Sequence, residues 1–114
     1  PTQVVISGHK GAIERAIAAA KEHGFKRGIA LPVSAPFHCP LMQPAADAMA
    51  DALAKQPPSA PVVPLVANVI AAPVSETADI ARLLVEQVTG RVRWRESVAA
   101  MEAVMHAPDR RHAT

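Results

Sequence analysis

Two prolines constrain the backbone on either side of one histidine in the segment Pro36-Phe37-His38-Cys39-Pro40. Proline fixes its own φ and keeps the residue before it out of the α-helical region, so His38 is expected on a stiff, extended loop. An apolar, strand-like run (31–33) precedes the loop, and a helix-like pattern follows it. Functional side chains are often held on short loops between rigid elements. His38 is therefore the first candidate for chemistry.

The hydrophobic spacing predicts a β-α-β unit in the first third of the chain. Its strands are expected at residues 3–7 and 28–33, with Gly24 as the C-terminal cap of the helix between them. That helix repeats apolar residues at helical spacing: Ile13, Ala16, Ile17 and Ala20. A β-α-β order over about 30 residues favours parallel strands, and an antiparallel α+β arrangement is also open.

Three more helices and one strand are predicted after His38. A helix over 40–56 presents the stripe Met42, Ala45, Met49 and Leu53, and a proline-rich linker (57–61) leads to a strand over 62–70. Pro64 places that strand at an edge or bulge near its start. A helix capped by Ser75 carries Ile80, Leu83, Leu84 and Val88 and stops at Gly90. The last helix carries Trp94, Val98, Met101 and Met105, and the polar tail 106–114 is expected to be disordered.

The composition limits the core and excludes several classes of protein. The chain has 114 residues, half of them hydrophobic, but only one Trp, two Phe and no Tyr. With a single cysteine it forms no internal disulfide, and no apolar run approaches the roughly 20 residues that span a bilayer. A net charge of +2, dispersed along the chain, is not typical of a nucleic-acid-binding protein. A cytoplasmic protein is expected.

The first residue, Pro1, and the early start of the first predicted strand indicate a piece of a longer protein. A natural N-terminus usually has some polar residues before its first strand. Here the apolar run begins at Gln3. We therefore expect a chain cut out of a larger one, of a size that suits one modest domain or part of one.

The imidazole of His38 could act as a general base, because a histidine side chain can take a proton from a serine or cysteine and return it to a leaving group. The alternative is a polar loop residue that helps to cap the following helix. Cys39 suggests a Cys-His dyad, but adjacent side chains point in different directions, so a buried structural thiol is favoured. No metal site is expected, because the remaining histidines show no ligand spacing. They are His9, His23, His106 and His112.

Arginines alternate with apolar residues at Arg91, Arg93 and Arg95. They could meet phosphates or an acidic partner, because the guanidinium fork suits both. The favoured interpretation is a solvated face with Trp94 buried behind it. The chain also has no G-x-S-x-G nucleophile elbow and no glycine-rich phosphate loop. If His38 is a base, its nucleophile lies outside these residues.

Four motifs occur in one order and at one spacing along the chain. They are Pro1-Thr2-Gln3-Val4-Val5-Ile6-Ser7-Gly8, Leu31-Pro32-Val33-Ser34-Ala35-Pro36-Phe37-His38-Cys39-Pro40-Leu41-Met42, Val66-Ala67-Asn68-Val69 and Val92-Arg93-Trp94-Arg95-Glu96-Ser97-Val98. Together they resemble the C-terminal half of the malonyl-CoA:acyl carrier protein transacylase family of bacterial type II fatty-acid synthesis. The resemblance covers residues 1–105, after which the chain diverges and the family's glycine-rich stretch is missing.

The resemblance implies an α/β fold made of parts of two domains. Residues 1–31 would be the second half of an inserted ferredoxin-like small subdomain. Residues 32–105 would be part of an α/β-hydrolase-like acyltransferase large domain, and 106–114 a divergent tail. A strand edge that the missing half would cover is then expected to be exposed.

The resemblance also implies a Ser-His ping-pong transfer of a malonyl group from coenzyme A to the phosphopantetheine thiol of acyl carrier protein. His38 takes the place of the catalytic histidine, and Asn68 is expected near it, as a substrate-binding or a structural residue. The family's serine, its malonyl-binding arginine and its oxyanion-hole residues lie upstream of Pro1, so this chain alone is expected to be inactive. No cofactor is implied. Two alternatives stay open: another serine acyl hydrolase or acyltransferase, and a non-catalytic α+β binding module.

Overall fold

The computed structural model describes residues 3–107. Helix α1 spans Lys10–Ala20, a 3₁₀ turn spans Pro40–Met42 and helix α2 spans Gln43–Lys55. Strands β1 (Leu65–Ala67) and β2 (Ala72–Val74) come next, and helices α3 (Thr77–Thr89) and α4 (Trp94–Met105) follow. All four predicted helices are therefore present. No helix within the described residues is long and apolar enough to cross a membrane.

The predicted strands at 3–7 and 28–33 are wrong, because neither segment has a strand partner among the described residues. A strand is stabilised by hydrogen bonds to a neighbour, which an alternating pattern alone does not supply. The apolar side chains of these segments lie in solvent: Val4, Val5, Ile6, Ile29, Leu31 and Val33 are each more than half exposed. The helix between them ends at Ala20 with Lys21 as its C-cap, and the predicted cap residue, Gly24, closes the turn that follows: its φ is +83°, and the N–H of Phe25 donates to the main-chain oxygen of Ala20.

The predicted strand 62–70 is instead a hairpin. β1 and β2 pair antiparallel, with Leu65 opposite Val74 and Ala67 opposite Ala72. Val62 is 99% exposed, since the prolines on either side of 62–63 cannot donate to a strand neighbour. The chain turns at 68–71, and Ala71 adopts φ +52°, which allows the turn to close without glycine. This turn places Asn68 at the end of β1.

Helices α2 and α3 pack against each other and enclose most of the core. The buried apolar side chains are Cys39, Ala46, Ile80 and Leu83. The inward residue of α2 is Ala46 rather than its neighbour Ala45, because a stripe of alanines does not fix which face packs. Leu84 is 48% exposed, and α3 starts after Glu76 rather than after Ser75, so both of those predictions are wrong.

The shape is extended for a chain of this length. The radius of gyration is 18.2 Å, whereas a compact domain of this size has about 13 Å. Helix α4 adds to the exposed apolar area, since its predicted stripe faces outward: Trp94 is 66% exposed and Met105 81%. The inward side of α4 instead carries Ser97, which is only 2% exposed. The predicted tail lies outside the described residues from 108 onward.

Candidate active site

His38 has a strained backbone. Its φ is +59°, in the left-handed region that non-glycine residues seldom adopt. The predicted extended conformation belongs instead to Cys39, with φ −141° and ψ 168°. Pro40 restricts only the residue immediately before it, so it fixes Cys39 and leaves His38 to turn. Residues held in such conformations cluster at functional sites.

The imidazole of His38 is held by the end of α3. Its Nδ1 lies 3.0 Å from the main-chain oxygen of Gln87, which is 49 residues away in sequence. A carbonyl oxygen can only accept, so Nδ1 carries the hydrogen and donates it. That tautomer leaves Nε2 as a proton acceptor, and the ring is exposed. The arrangement therefore presents one basic nitrogen to solvent.

The acceptor carbonyl of Gln87 lies in the last turn of α3, where main-chain oxygens lack helical partners. The N–H of Gly90 also donates to this oxygen, at 3.2 Å. The C-terminal end of a helix carries partial negative charge, which stabilises a cation placed there. The His38 ring therefore lies at the negative end of the α3 dipole, where it is hydrogen-bonded to the last turn of the helix.

Cys39 has a different environment from His38. Its side chain is buried, with 7% of its area exposed, and its Sγ donates to the main-chain oxygen of Pro36 at 3.1 Å. His38 is exposed, so the two side chains lie in different environments. The prediction that the thiol is buried is confirmed, and its hydrogen bond to Pro36 gives a Cys-His dyad no support.

Asn68 joins three elements beside the histidine. Its Nδ2 donates to Oε1 of Gln87 at 2.8 Å. Its Oδ1 accepts from the backbone N–H of Arg93 at 3.1 Å and from the hydroxyl of Ser97 at 3.2 Å. Nε2 of Gln87 in turn donates to the main-chain oxygen of Gly90 at 3.1 Å. The structure thus brings the two predicted site residues together through Gln87.

Sequence reasoning missed Gln87 and Ser97. A main-chain carbonyl has no residue-type signature, so nothing in the sequence marks Gln87 as the partner of His38. Ser97 is a polar residue on a helix with an apolar stripe, which reads as an exposed position. A buried serine is expected only once its hydrogen-bond acceptor, Asn68, is known.

The arginines behave differently from one another. Arg93 turns inward and donates from Nη1 to the main-chain oxygen of Ile70 at 3.1 Å, whereas Arg91 and Arg95 are exposed. Trp94 is exposed as well, so the prediction that it is buried is wrong. Bonds from Arg93 and Ser97 to the hairpin fix the rotation of α4 and leave Trp94 on the outer side.

The pKa of the Glu96 carboxyl is lowered. The main cause is the hydrogen bond that the carboxylate accepts from the backbone N–H of Glu96 itself, and the positive charge of nearby Arg95 comes next.

Within residues 3–107, no three His, Cys, Asp or Glu side chains lie close enough together to hold a metal ion. The candidate site lies at the junction of the 36–40 loop, the end of α3 and the β1–β2 turn. The chemistry that this site can perform is proton transfer at Nε2 of His38.

Comparison with known proteins confirms the resemblance suggested by the motifs. The chain is 52% identical over 103 residues to the malonyl CoA-acyl carrier protein transacylase of Salmonella typhimurium, and 50% identical to that of Escherichia coli K12. Each match covers 90% of this chain and 33% of the relative. The chain thus spans about a third of the length of the curated relatives it matches. No family model matches it.

Solved structures give the same result. An acyl-carrier-protein-S-malonyltransferase from Bartonella henselae superposes with a TM-score of 0.78 at 53% identity, over 84% of this chain and 31% of that one. A malonyl-transacylase in complex with its type II PKS acyl-carrier protein superposes with a TM-score of 0.80 at 40% identity, over 86% and 32%. The described elements are therefore those of an α/β acyltransferase fold.

Proposed function

We propose that this chain is the histidine-bearing third of a malonyl-CoA:acyl carrier protein transacylase, and that His38 is the general base of the acyl transfer. The proposal is supported by the similarity along nine-tenths of the chain. The observation that carries it is the hydrogen bond from Nδ1 of His38 to the carbonyl of Gln87, at 3.0 Å. That bond orients the ring and sets the tautomer that a base needs.

In the first half of the reaction, Nε2 of His38 takes the proton of a serine hydroxyl as the serine oxygen attacks the malonyl thioester carbonyl. The tetrahedral intermediate collapses by breaking its C–S bond, and the imidazolium returns the proton to the departing coenzyme A sulfur. During this step the C-terminal end of α3 stabilises the positive charge on the ring. The serine belongs to the part of the family sequence that this chain does not contain.

In the second half, Nε2 takes the proton of the phosphopantetheine thiol of acyl carrier protein. The thiolate attacks the malonyl-serine ester, the C–O bond breaks, and the imidazolium protonates the serine oxygen. The substrates are thus malonyl-CoA and acyl carrier protein, and no further cofactor is needed. The isolated chain supplies the base without the nucleophile, and we expect it to transfer no malonyl group.

A chimera tests the proposal. The matched segment of the Salmonella typhimurium transacylase is replaced by this chain, and malonyl transfer to acyl carrier protein is measured for the chimera and its variants. His38→Ala should lower kcat/KM about a thousandfold or more, as loss of a triad member does. His23→Ala, which removes an exposed histidine just after α1, is the matched control and should keep the chimera's rate.

Two outcomes would overturn the proposal. A loss smaller than about tenfold in His38→Ala would remove the residue from the mechanism, because it is less than general acid-base catalysis contributes. His38-dependent malonyl transfer by the 114-residue chain alone would contradict the assignment of the nucleophile to another segment.

A further inference from the structure

We infer that Asn68 is a positioning residue for His38, acting through Gln87; this inference rests on the proposed function. Asn68 directly follows β1, and its side chain bonds to residues at the end of α3 and the start of α4. His38 bonds to the same stretch of α3, at the main-chain oxygen of Gln87. The side-chain amide of Asn68 therefore anchors the end of α3, which carries the main-chain oxygen that accepts a hydrogen bond from His38.

The bonds form a closed ring around the end of α3. Asn68 donates to the side-chain oxygen of Gln87 at 2.8 Å, and the side-chain nitrogen of Gln87 donates to the carbonyl of Gly90 at 3.1 Å. The loop then runs to Arg93, whose N–H donates back to Asn68 at 3.1 Å. Inside this ring the N–H of Gly90 donates a hydrogen bond to the main-chain oxygen of Gln87. Opening the ring at Asn68 frees the oxygen that holds His38.

The hydrogen-bonding capacity of Asn68 favours this role over a substrate contact. Its Oδ1 already accepts two hydrogen bonds, from Arg93 and Ser97, which fills both lone pairs. Its Nδ2 uses one of two hydrogens on Gln87. The side chain is half-buried, and its hydrogen bonds within the described residues go to Gln87, Arg93 and Ser97. Only one N–H is left with which it could meet a substrate.

Ser97 supports the same function from the other side. It is buried, with 2% of its area exposed, and its hydroxyl donates to Asn68 at 3.2 Å. It has no hydrogen bond to Gln87 or His38 among the described residues. Its part is to orient the Asn68 amide, so Ser97→Ala should weaken the ring without opening it.

The test measures kcat and KM for malonyl-CoA in the chimera described above, together with the ¹⁵N signals of the His38 ring. Asn68→Ala should lower kcat roughly 10- to 100-fold, the loss expected from a displaced catalytic group, with little change in KM. The Nδ1-protonated tautomer of His38 should become a smaller fraction. Ser97→Ala should give a smaller change of the same kind. Gln43→Ala, which removes an exposed amide bonded to Asp47, is the control and should change neither.

Asn68→Asp tests the donor function of the Asn68 side chain separately from its acceptor function. The new carboxylate still accepts from Arg93 and Ser97, but it cannot donate to Gln87. Gln87 must then turn its amide nitrogen toward the carboxylate and lose its bond to Gly90. If the ring acts as inferred, this near-isosteric variant should lose kcat as Asn68→Ala does, and a variant that keeps full kcat would overturn the inference.

Three further results would overturn it. A raised KM with unchanged kcat in Asn68→Ala would make Asn68 a substrate contact. Unchanged kcat and unchanged His38 signals, measured below the unfolding midpoint of the variant, would make the ring structural only. A fall in kcat with an unchanged His38 tautomer would place the effect elsewhere. All three require that His38→Ala abolishes transfer; if it does not, the proposed function itself fails.

Discussion

His38 and Gln87 lie 49 residues apart in sequence, and the imidazole Nδ1 of one is 3.0 Å from the main-chain oxygen of the other. In the proposed mechanism, this backbone carbonyl takes the position that a carboxylate holds in a Ser-His-Asp triad. The carbonyl keeps the ring in one tautomer, and the helix end behind it supplies partial negative charge. We therefore expect the proposed base to work with a main-chain acceptor in place of a carboxylate.

The thiol of Cys39 should react slowly with thiol reagents in the folded chain. It is buried and donates to the main-chain oxygen of Pro36. Because only an accessible thiolate reacts, labelling by a chromogenic disulfide should be slower by roughly tenfold or more in buffer than in urea. Rapid labelling of the folded chain, at the rate found in urea, would contradict the buried placement and revive a reactive cysteine beside His38.

Ala71→Gly should stabilise the chain. Ala71 closes the β1–β2 turn with φ +52°, where a Cβ costs roughly 1 kcal/mol and glycine pays no such cost. Part of that gain is offset by the greater freedom of glycine in the unfolded chain. The free energy of unfolding should therefore rise by about 0.5 kcal/mol in urea titrations.

The neighbouring change Ala72→Gly is the matched control. Ala72 lies in β2, opposite Ala67, with an ordinary strand backbone. There glycine should lower the free energy of unfolding by roughly 0.5–1 kcal/mol. Equal effects of the two substitutions would contradict the left-handed conformation at position 71.

Glu96 should make stability depend on pH in acid. Its own backbone N–H, in the first turn of α4, and nearby Arg95 hold its pKa below the ordinary value of 4.5. A carboxyl whose pKa is lowered on folding stabilises the fold above the unfolded pKa, and that contribution is lost as the pH falls through the lower folded value. Glu96→Gln should thus lower the melting temperature at pH 7 but not at pH 2.

Glu102→Gln is the control for Glu96, because it removes the same charge from the second half of α4. Carboxylates stabilise a helix near its start and not near its end. The control should therefore show no loss of melting temperature at pH 7. A pH-independent effect of Glu96→Gln would mean that its carboxylate does not interact with the helix start.

The sequence predicts the helices and the histidine loop well, because helical spacing and proline geometry are local. It predicts strands at 3–7 and 28–33 that do not form, since a strand depends on a neighbour that local pattern cannot supply. The local sequence pattern also does not determine which face of α4 packs inward. Trp94 is in the more apolar stripe, yet the bonds of Ser97 and Arg93 to Asn68 decide the rotation of the helix.

The role proposed for His38 follows chiefly from the resemblance carried by the ordered motifs, and less from its own surroundings. The prolines correctly predict a constrained loop but assign the extended backbone to the wrong residue, because Pro40 acts on Cys39. The partner of His38 could not be predicted, since it is a backbone oxygen on a distant helix. Asn68 was named from the same motifs, and only its contacts indicate how it could act.

The tautomer of the His38 imidazole tests most directly whether Gln87 holds this ring ready to act as a base. It can be measured in the ¹⁵N-histidine-labelled 114-residue chain at high pH, where free imidazole is neutral, with His38→Gln used to assign the signals. The hydrogen bond to Gln87 predicts one dominant form, with the hydrogen on Nδ1 and an unprotonated Nε2. A ring that carries its hydrogen mainly on Nε2, or that exchanges between tautomers as a free imidazole does, would contradict it.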